Sequence, residues 1–381
     1  MRQCTDAAAL HLAVDSVGTR HGGASAVLHE VVAALLARPE VARLTIFASQ
    51  VIPDCADPRV TVEVHGWSSI QWLRPMWHWP GVARAAYRCA ADVLVCLGNG
   101  GIGPRRVPTL VFVQQALPFS PEALRTLGVA DRLRMAVVRM DMHVSVRLAD
   151  AVFVQTKAMK DNVVKAFCVP PQRVQMLSTN TIDLPATSAA TVDLSSLLEG
   201  NDGPRLLYVG NGSAYKNLTR LGQGFVKLRE ICPQATLFLC GHCRGAMPPG
   251  PGIIYLGYVP RSLLRSVYEQ VDALVMPSLA ESAGLPLMEA RSVGLPIAAA
   301  DRPYAREACG DDAIYFDPLS IEAMADALRR VIRQKRRSVA EGIAPQGQAY
   351  GAVAAMAVHL GCRPGARVQP SPSSAPSGKV S

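Results

Sequence analysis

"DALVMPSLAESAGLPLMEARSVGLPIAAA", residues 272–300, decides how the chain is read. "DALVMPS" carries the apolar run that a strand buried on both faces requires. "LAES" leaves its carboxyl end, Gly284 can take a backbone conformation closed to other residues, and Pro286 suits a first helical turn, so a helix begins near Leu285. "PIAAA" forms a second buried run. A strand, a helix and a strand in one short passage are the repeating unit of a parallel sheet covered by helices.

The same rhythm extends in both directions. Upstream, "LHLAV", "RLTIFAS", "VTVEVHG", "DVLVCL", "TLVFVQ" and "AVFVQT" alternate with segments of helical period such as "ASAVLHEVVAALLA". A second series holds "RLLYVG", "ATLFLCG", "GIIYLG", "ALVMPS" and "PIAAA", with helices over 217–230 and 261–270. Polar, turn-rich sequence from 178 to 204 separates them. The chain therefore reads as two Rossmann-like, doubly wound α/β domains facing each other across a cleft: 1–180, a linker over 181–204, and 205–340. The segment 341–381 reads as an atypical, disordered tail, since it ends in "RPGARVQPSPSSAPSGKVS". Ligands of such sheets bind beyond the carboxyl ends of the strands.

Composition agrees with this architecture. A chain of 381 residues exceeds the size at which single cores stop growing, and 49% apolar against 18% charged residues supplies large cores. No apolar stretch approaches a membrane span, and "MRQCTDAAALHLAVDSVG" is poor material for a secretory signal, so a cytoplasmic protein is expected. The ten cysteines lack a framework of short regular spacings and are expected as free, mostly buried thiols. The net charge of +9 is concentrated: residues 101–150 carry seven Lys/Arg against four acids, and 201–250 six against two. With no helix-turn-helix, zinc finger or arginine-rich arm, that charge points to phosphates or an acidic membrane surface rather than nucleic acid.

Three glycine- or cysteine-rich motifs offer chemistry. "CGHC" at 240–243 has redox spacing, but "RGAMPPGPG" after it cannot open the helix that would stabilise a thiolate, so buried strand-end cysteines are expected. "GNGGIG" at 98–103 lacks the helix its third glycine should pack against, and reads as a plain loop. "RHGGASAVLHE" does open a helix, so Gly22 and Gly23 either let a phosphate approach or only make a tight turn. In the opening stretch, Glu281 projects from the loop, Glu289 lies about one turn inside the helix, and the N–H groups of residues 284 to 286 face the space between. That is an anion site flanked by two acceptors, and a sugar diphosphate attached to a ribose fits it. The competing reading is that Glu289 complements the helix dipole and Glu281 is solvated.

"MPSLAESAGLPLMEARSVGLPIAAAD" resembles the E-x7-E signature of glycosyltransferase family 4, retaining enzymes of GT-B fold, and "LLYVGNGSAYKNLTRL" resembles the strand-loop-Lys-Asn segment that opens their second domain. "ADAVFVQTKAMKDNVVKAFCVPPQRV" and "IIYLGYVPRSLLRSVYEQVDALVMPS" fall in the family's order, and "QQALPFSPEALRTLG" resembles bacterial polysaccharide and O-antigen transferases. The resemblance implies transfer of a hexose from a nucleotide diphosphate sugar to a glycan or lipid-linked acceptor. It implies catalytic roles for Glu281, on the donor sugar, and Lys216, on the diphosphate. Glu289 would bind the ribose diol, and Gly284 and Leu285 would offer N–H groups to the diphosphate. Gly210, Tyr258 and Val259 would complete the second domain's part of the donor site, and Gly22 and Gly23 would approach from the first. With no D-x-D in the chain, no metal and no cofactor is expected. The pattern departs from the family at Gln114 and Gln115, where many members carry a histidine, at Ala283, often aromatic, and at the C-terminus, where members close with a returning helix. A non-catalytic nucleotide-sugar-binding or partner protein of the same fold is the alternative these departures leave. Arg132, Arg139, His143 and Arg147 share one face of a helix near 130–149, a pattern that suits either solvent or peripheral contact with the inner face of the plasma membrane.

Overall fold

The computed structural model describes residues 9–18, 23–50, 57–66, 74–177, 184, 191–198, 202–337 and 347–363. The first domain is built on β1 (Leu10–Asp15), β2 (Val41–Ala48), β3 (Val60–Val64), β4 (Val93–Cys96), β5 (Thr109–Val113), β6 (Ala151–Val154) and β7 (Val174–Met176), in the order β3-β2-β1-β4-β5-β6-β7. Its helices are α1 (Gly23–Leu36), the single turn α2 (Arg74–Met76), α3 (Val82–Arg88), α4 (Pro121–Arg125), α5 (Val129–Leu148) and α6 (Lys157–Phe167). The second domain holds β8 (Arg205–Val209), β9 (Thr236–Cys240), β10 (Ile253–Gly257), β11 (Ala273–Met276), β12 (Ile297–Ala300) and β13 (Ala313–Phe316), in the order β10-β9-β8-β11-β12-β13. Around it lie α7 (Leu218–Arg229), α8 (Arg261–Glu269), α9 (Leu285–Ser292), α10 (Pro303–Cys309) and α11 (Ile321–Val331).

Every strand pair is parallel. The central strands β4, β5, β6, β11 and β12 are buried along their whole length, which is why the sequence writes them as unbroken apolar runs. In each sheet the strand order reverses once, between β1 and β4 and between β8 and β11. At such a point, neighbouring crossovers run to opposite faces and leave a crevice beyond the carboxyl ends.

Two expectations need correction. The segment 341–381 is not a structureless tail throughout, because α12 spans Gly347–Gly361 and packs on α1, β1 and β4 of the first domain. Its apolar residues Tyr350, Val353, Ala354, Ala357 and Leu360 recur at helical spacing and are buried in the first domain's core, where Tyr350 meets Phe112 edge-on at 6.4 Å. An aromatic-containing helix thus returns to the first domain; residues 364–381 lie outside the described residues. The expected linker is also partly core: Leu184, Leu194 and Leu198 are buried with the second domain, and the Val192 and Leu194 amides donate to Ser266 Oγ at 3.1 Å and Gln270 Oε1 at 3.0 Å. Apolar leucines within a polar stretch find the nearest core.

The domains touch. Leu117, Ala123 and Met135 of the first form an apolar cluster with Leu279 and Ala280 of the second, immediately before Glu281. Arg302 grips Glu122 through Nη2 at 2.8 and 2.6 Å and through Nε at 3.1 Å. Among the described residues no helix is long and apolar enough to cross a membrane.

Candidate active site

The second domain's switch point brings together the loops that leave β8 and β11. After β8, residues Ala214–Lys216 form one tight turn that ends on Asn217, at φ 64°. Asn217 Nδ2 donates to the Pro318 carbonyl at 2.7 Å and the Pro277 carbonyl at 3.3 Å, pinning this loop to the end of β11. Lys216 Nζ then lies 2.5 Å from Glu281 Oε1, with both side chains at most 15% exposed. Burial opposes the charge on Lys216, but the Glu281 carboxylate outweighs it and holds the ammonium above its ordinary pKa. Lys216 also lies 5.3 Å from the centre of the Tyr215 ring. Glu281 is therefore neither solvated nor isolated.

Three residues further on, Gly284 takes φ 67° and starts α9 at Leu285, as the sequence requires. A Cβ there would stand 3.1 Å from both Leu287 Cδ1 and Tyr304 Cδ2, so the turn is closed on its inner side as well. Pro286 has no N–H, so the donors of this helix start come from Gly284 and Leu285, not from 284 to 286 throughout. Glu289, 3% exposed, accepts from Arg261 Nη1 at 3.1 Å and from the Tyr268 hydroxyl at 2.9 Å. Burial pushes its pKa up, while Arg261 and Tyr268 pull against that shift.

Gly210 follows β8, and its N–H donates to the Cys240 carbonyl at 2.9 Å. Tyr258 is 63% exposed beyond β10 and stacks on His242 at 6.1 Å, while Val259 beside it packs on the core. Cys240 and Cys243 are buried thiols, pushed up by burial to about 12 and about 11, which leaves no redox thiolate at "CGHC". All eight described cysteines are free, four of them buried. On the facing side Gly23 opens α1, and Gly22 lies outside the described residues. Gln114 Nε2 donates to the Leu97 carbonyl at 3.1 Å, and Gln115 Nε2 lies 3.7 Å from Met135 Sδ, so both glutamines serve the wall of the first domain.

Arg261, Tyr268, Asn217 and Tyr304 are site residues that sequence reasoning missed. Asn217 was within reach, since "YKN" ends a loop at a left-handed position that asparagine tolerates. The other three are marked only by tertiary contact.

Two parallel sheets with one reversal each, facing across a crevice that holds a buried lysine-glutamate pair and a glycine-started helix, define the GT-B class of two-domain α/β folds. Residues 192–343 match the family model described as Glycosyl transferases group 1. It is similar to O-antigen chain mannosyltransferase B of Escherichia coli, at 24% identity over 211 residues, covering 50% of this chain and 54% of the relative. It is also similar to O-antigen chain mannosyltransferase RfbU of Salmonella typhimurium, at 21% over 205 residues, covering 51% and 54%. The chain thus spans about half the length of the curated relatives it matches. Among solved structures, sucrose-phosphate synthase from Thermosynechococcus elongatus superposes with a TM-score of 0.65 at 14% identity, over 92% of this chain and 96% of that one. WaaG, a glycosyltransferase involved in lipopolysaccharide biosynthesis, gives 0.62 at 16%, over 92% and 95%. Anabaena HepE in complex with UDP-glucose gives 0.62 at 16%, over 92% and 97%. At these identities the structures establish the fold.

Proposed function

We propose that this protein is a retaining glycosyltransferase that moves a hexose from a nucleotide diphosphate sugar to a glycan or lipid-linked glycan acceptor in O-antigen or related polysaccharide assembly. The observation that carries the reading is the buried Lys216–Glu281 pair, 2.5 Å apart, three residues before a helix start at Gly284. Glycosyl transfer builds positive charge on the sugar and negative charge on the departing diphosphate, and a preorganised site needs a group for each. Glu281 would face the sugar's hydroxyls. Lys216 and the N–H groups of Gly284 and Leu285 would hold the diphosphate. Glu289 would accept from the ribose hydroxyls, and the Tyr258–His242 stack would edge the base. Since Lys216 is held charged inside the protein, it supplies the cation a metal would otherwise provide, and the proposed mechanism is metal-independent.

The names of the curated relatives favour mannose as the sugar. Thermal shift against UDP-, GDP- and dTDP-sugars, GDP-mannose included, tests the reading. A donor should raise the melting temperature with its concentration, and should do so in EDTA. No shift with any nucleotide sugar at millimolar levels would remove the transferase proposal. Gln115, standing where many members of the resembling family have a histidine, favours one second reading, a nucleotide-sugar-binding protein without turnover; donor binding with no transfer or hydrolysis by purified protein would select it.

We further propose peripheral contact with an acidic membrane through α5, on the inner face of the plasma membrane. Val129, Leu133 and Met140 are exposed on this helix beside the exposed Arg132 and Arg139.

A further inference from the structure

The stretch "QTKAMKDN", residues 155–162, carries the chain from the carboxyl end of β6 into α6, which begins against the second domain. Thr156, 5% exposed, caps that helix: its Oγ1 accepts from the Met159 amide at 3.2 Å. The same hydroxyl donates to the Ser282 carbonyl of the second domain at 2.8 Å. A cap needs only an acceptor, which aspartate or asparagine supplies as well as threonine. The donated proton has no part in capping, and it goes to the carbonyl of the residue directly after Glu281. From the opposite domain, Glu307 of α10 accepts from the Lys157 amide at 2.6 Å and the Ala158 amide at 3.1 Å. The first amides of α6 are thus satisfied in part by a carboxylate of the other domain.

The loop between β11 and α9 shows why that carbonyl matters. Its first residues are held by their own domain: the Tyr304 hydroxyl donates to the Ser278 carbonyl at 2.9 Å, and the Leu279 amide donates to the Tyr215 carbonyl at 2.9 Å. Its last residue, Gly284, is fixed by the left-handed start of α9. Glu281 and Ser282 lie between these anchors. The carboxylate of Glu281 is drawn to Lys216 Nζ, while Thr156 grips the peptide that joins Ser282 to Ala283. With planar peptides, only a few soft dihedrals separate the Glu281 Cα from that gripped plane. The backbone under Glu281 is therefore set from the first domain, and its carboxylate from the second.

We propose that Thr156 is a positioning residue for Glu281: its hydroxyl sets the loop that aims the carboxylate at the donor sugar, and Glu307 holds α6 in place for it. The proposal rests on the transferase reading and adds to it a residue that acts on the sugar carboxylate from outside the donor site. Without the contact, Glu281 stays paired with Lys216 but turns with its loop, whereas Lys216 and the N–H groups of Gly284 and Leu285 keep their places in the second domain. Thr156 therefore governs the rate and not the binding of a nucleoside diphosphate. Misplacing a reacting group by about 1 Å costs up to about a hundredfold in rate.

Three measurements on the whole chain test this in wild type, Thr156→Val, Thr156→Ser and Glu307→Ala. They are hydrogen–deuterium exchange, turnover of whichever of GDP-mannose and UDP-glucose raises the wild-type melting temperature, and calorimetry with the matching nucleoside diphosphate. Thr156→Val keeps the shape and removes the hydroxyl, so peptides over 278–286 should exchange about tenfold faster and kcat should fall about tenfold or more, with nucleoside diphosphate affinity within a few-fold of wild type. Thr156→Ser keeps the hydroxyl and should recover both exchange and kcat. Glu307 is exposed, so Glu307→Ala should fold even where Thr156→Val does not, and it should speed exchange at residues 157–158 and over 278–286. A residue that only caps α6 would lower the melting temperature of Thr156→Val and leave exchange over 278–286 and kcat as in wild type; that result overturns the proposal. Faster exchange with unchanged kcat, no recovery in Thr156→Ser, or wild-type exchange over 278–286 in Glu307→Ala overturns it too. Failure of the transferase reading is seen separately: wild type then neither binds nor turns over either nucleotide sugar, while exchange over 278–286 still decides whether Thr156 sets the loop.

Discussion

Lys216 and Glu281 neutralise each other across 2.5 Å, so each can be tested by what its loss leaves behind. Lys216→Ala should lower kcat and weaken nucleoside diphosphate binding, because the ammonium is the cation proposed for the diphosphate. Glu281→Ala should lower kcat/KM while leaving nucleoside diphosphate affinity within a few-fold, since the carboxylate is assigned to the sugar. Each loss should cost about 2 to 4 kcal/mol of transition-state stabilisation, roughly 30- to 1,000-fold. Loss of nucleoside diphosphate binding in folded Glu281→Ala would contradict the assignment. Glu289 offers a pH readout. Burial raises its pKa, so between the ordinary and the raised value the native carboxyl keeps a proton that the unfolded chain releases. In that window stability falls as pH rises, while the charged acceptor for a ribose is available only above it. Nucleoside diphosphate affinity should therefore fall on acidification with a midpoint above the ordinary glutamate range. Arg261 favours the carboxylate, so Arg261→Gln should move that midpoint upward. An unmoved midpoint, followed by titration calorimetry across pH, would detach Glu289 from the ribose.

Among the elements, α5 carries the membrane proposal. The guanidinium groups on its predicted basic face are partly tied down, with Arg132 donating to the Leu124 and Arg125 carbonyls, Arg139 to Pro118 and Arg147 to Phe167. His143 packs edge-on against Phe167 at 5.4 Å. The exposed apolar side chains Val129, Leu133 and Met140 thus have as strong a claim on a bilayer as the charges. Sedimentation with anionic liposomes should be weakened by Leu133→Asp at least as much as by Arg132→Glu plus Arg139→Glu, and binding indifferent to both would exclude this face. The elements also show what the sequence could reveal. The loop, helix start and two glutamates after β11 were legible because strand, turn and helix are consecutive, and Gly284 and Pro286 mark the boundary. Edge strands β7 and β13 escaped: they are only partly buried, unlike the equally short central strands that were read. α12 was hidden because only Tyr350 and Leu360 on its buried face are large, the residues between them being valine and alanine, and Pro/Ser-rich sequence follows. His78 with Asp141, and Glu289 with Arg261 and Tyr268, join residues 63, 28 and 21 positions apart. Strand order, not local pattern, makes those pairs.

For the whole molecule, the question is what holds the two domains together over the cleft. Among the described residues, polar contacts join the domains as well as the small apolar cluster: Thr156 Oγ1 donates to the Ser282 carbonyl at 2.8 Å, and Glu307 accepts from the Lys157 and Ala158 amides at 2.6 and 3.1 Å, capping α6 from the opposite domain. Arg302 and Glu122 make the strongest of these links, at 22% and 30% side-chain exposure. A partly exposed pair contributes about 1 kcal/mol or less, and more where the geometry is bidentate as here. Arg302→Glu should replace attraction with repulsion and open the cleft, raising the radius of gyration in solution scattering. Nucleoside diphosphate affinity should change little, because its proposed ligands lie in the second domain, whereas kcat/KM should fall because the acceptor side is in the first. Added salt should move wild type in the same direction, since screening weakens the link. The double variant Glu122→Arg with Arg302→Glu should close the molecule again and recover turnover. If Arg302→Glu lowered turnover with no change in scattering, or the charge swap failed to restore either, this pair would have no part in closing the cleft.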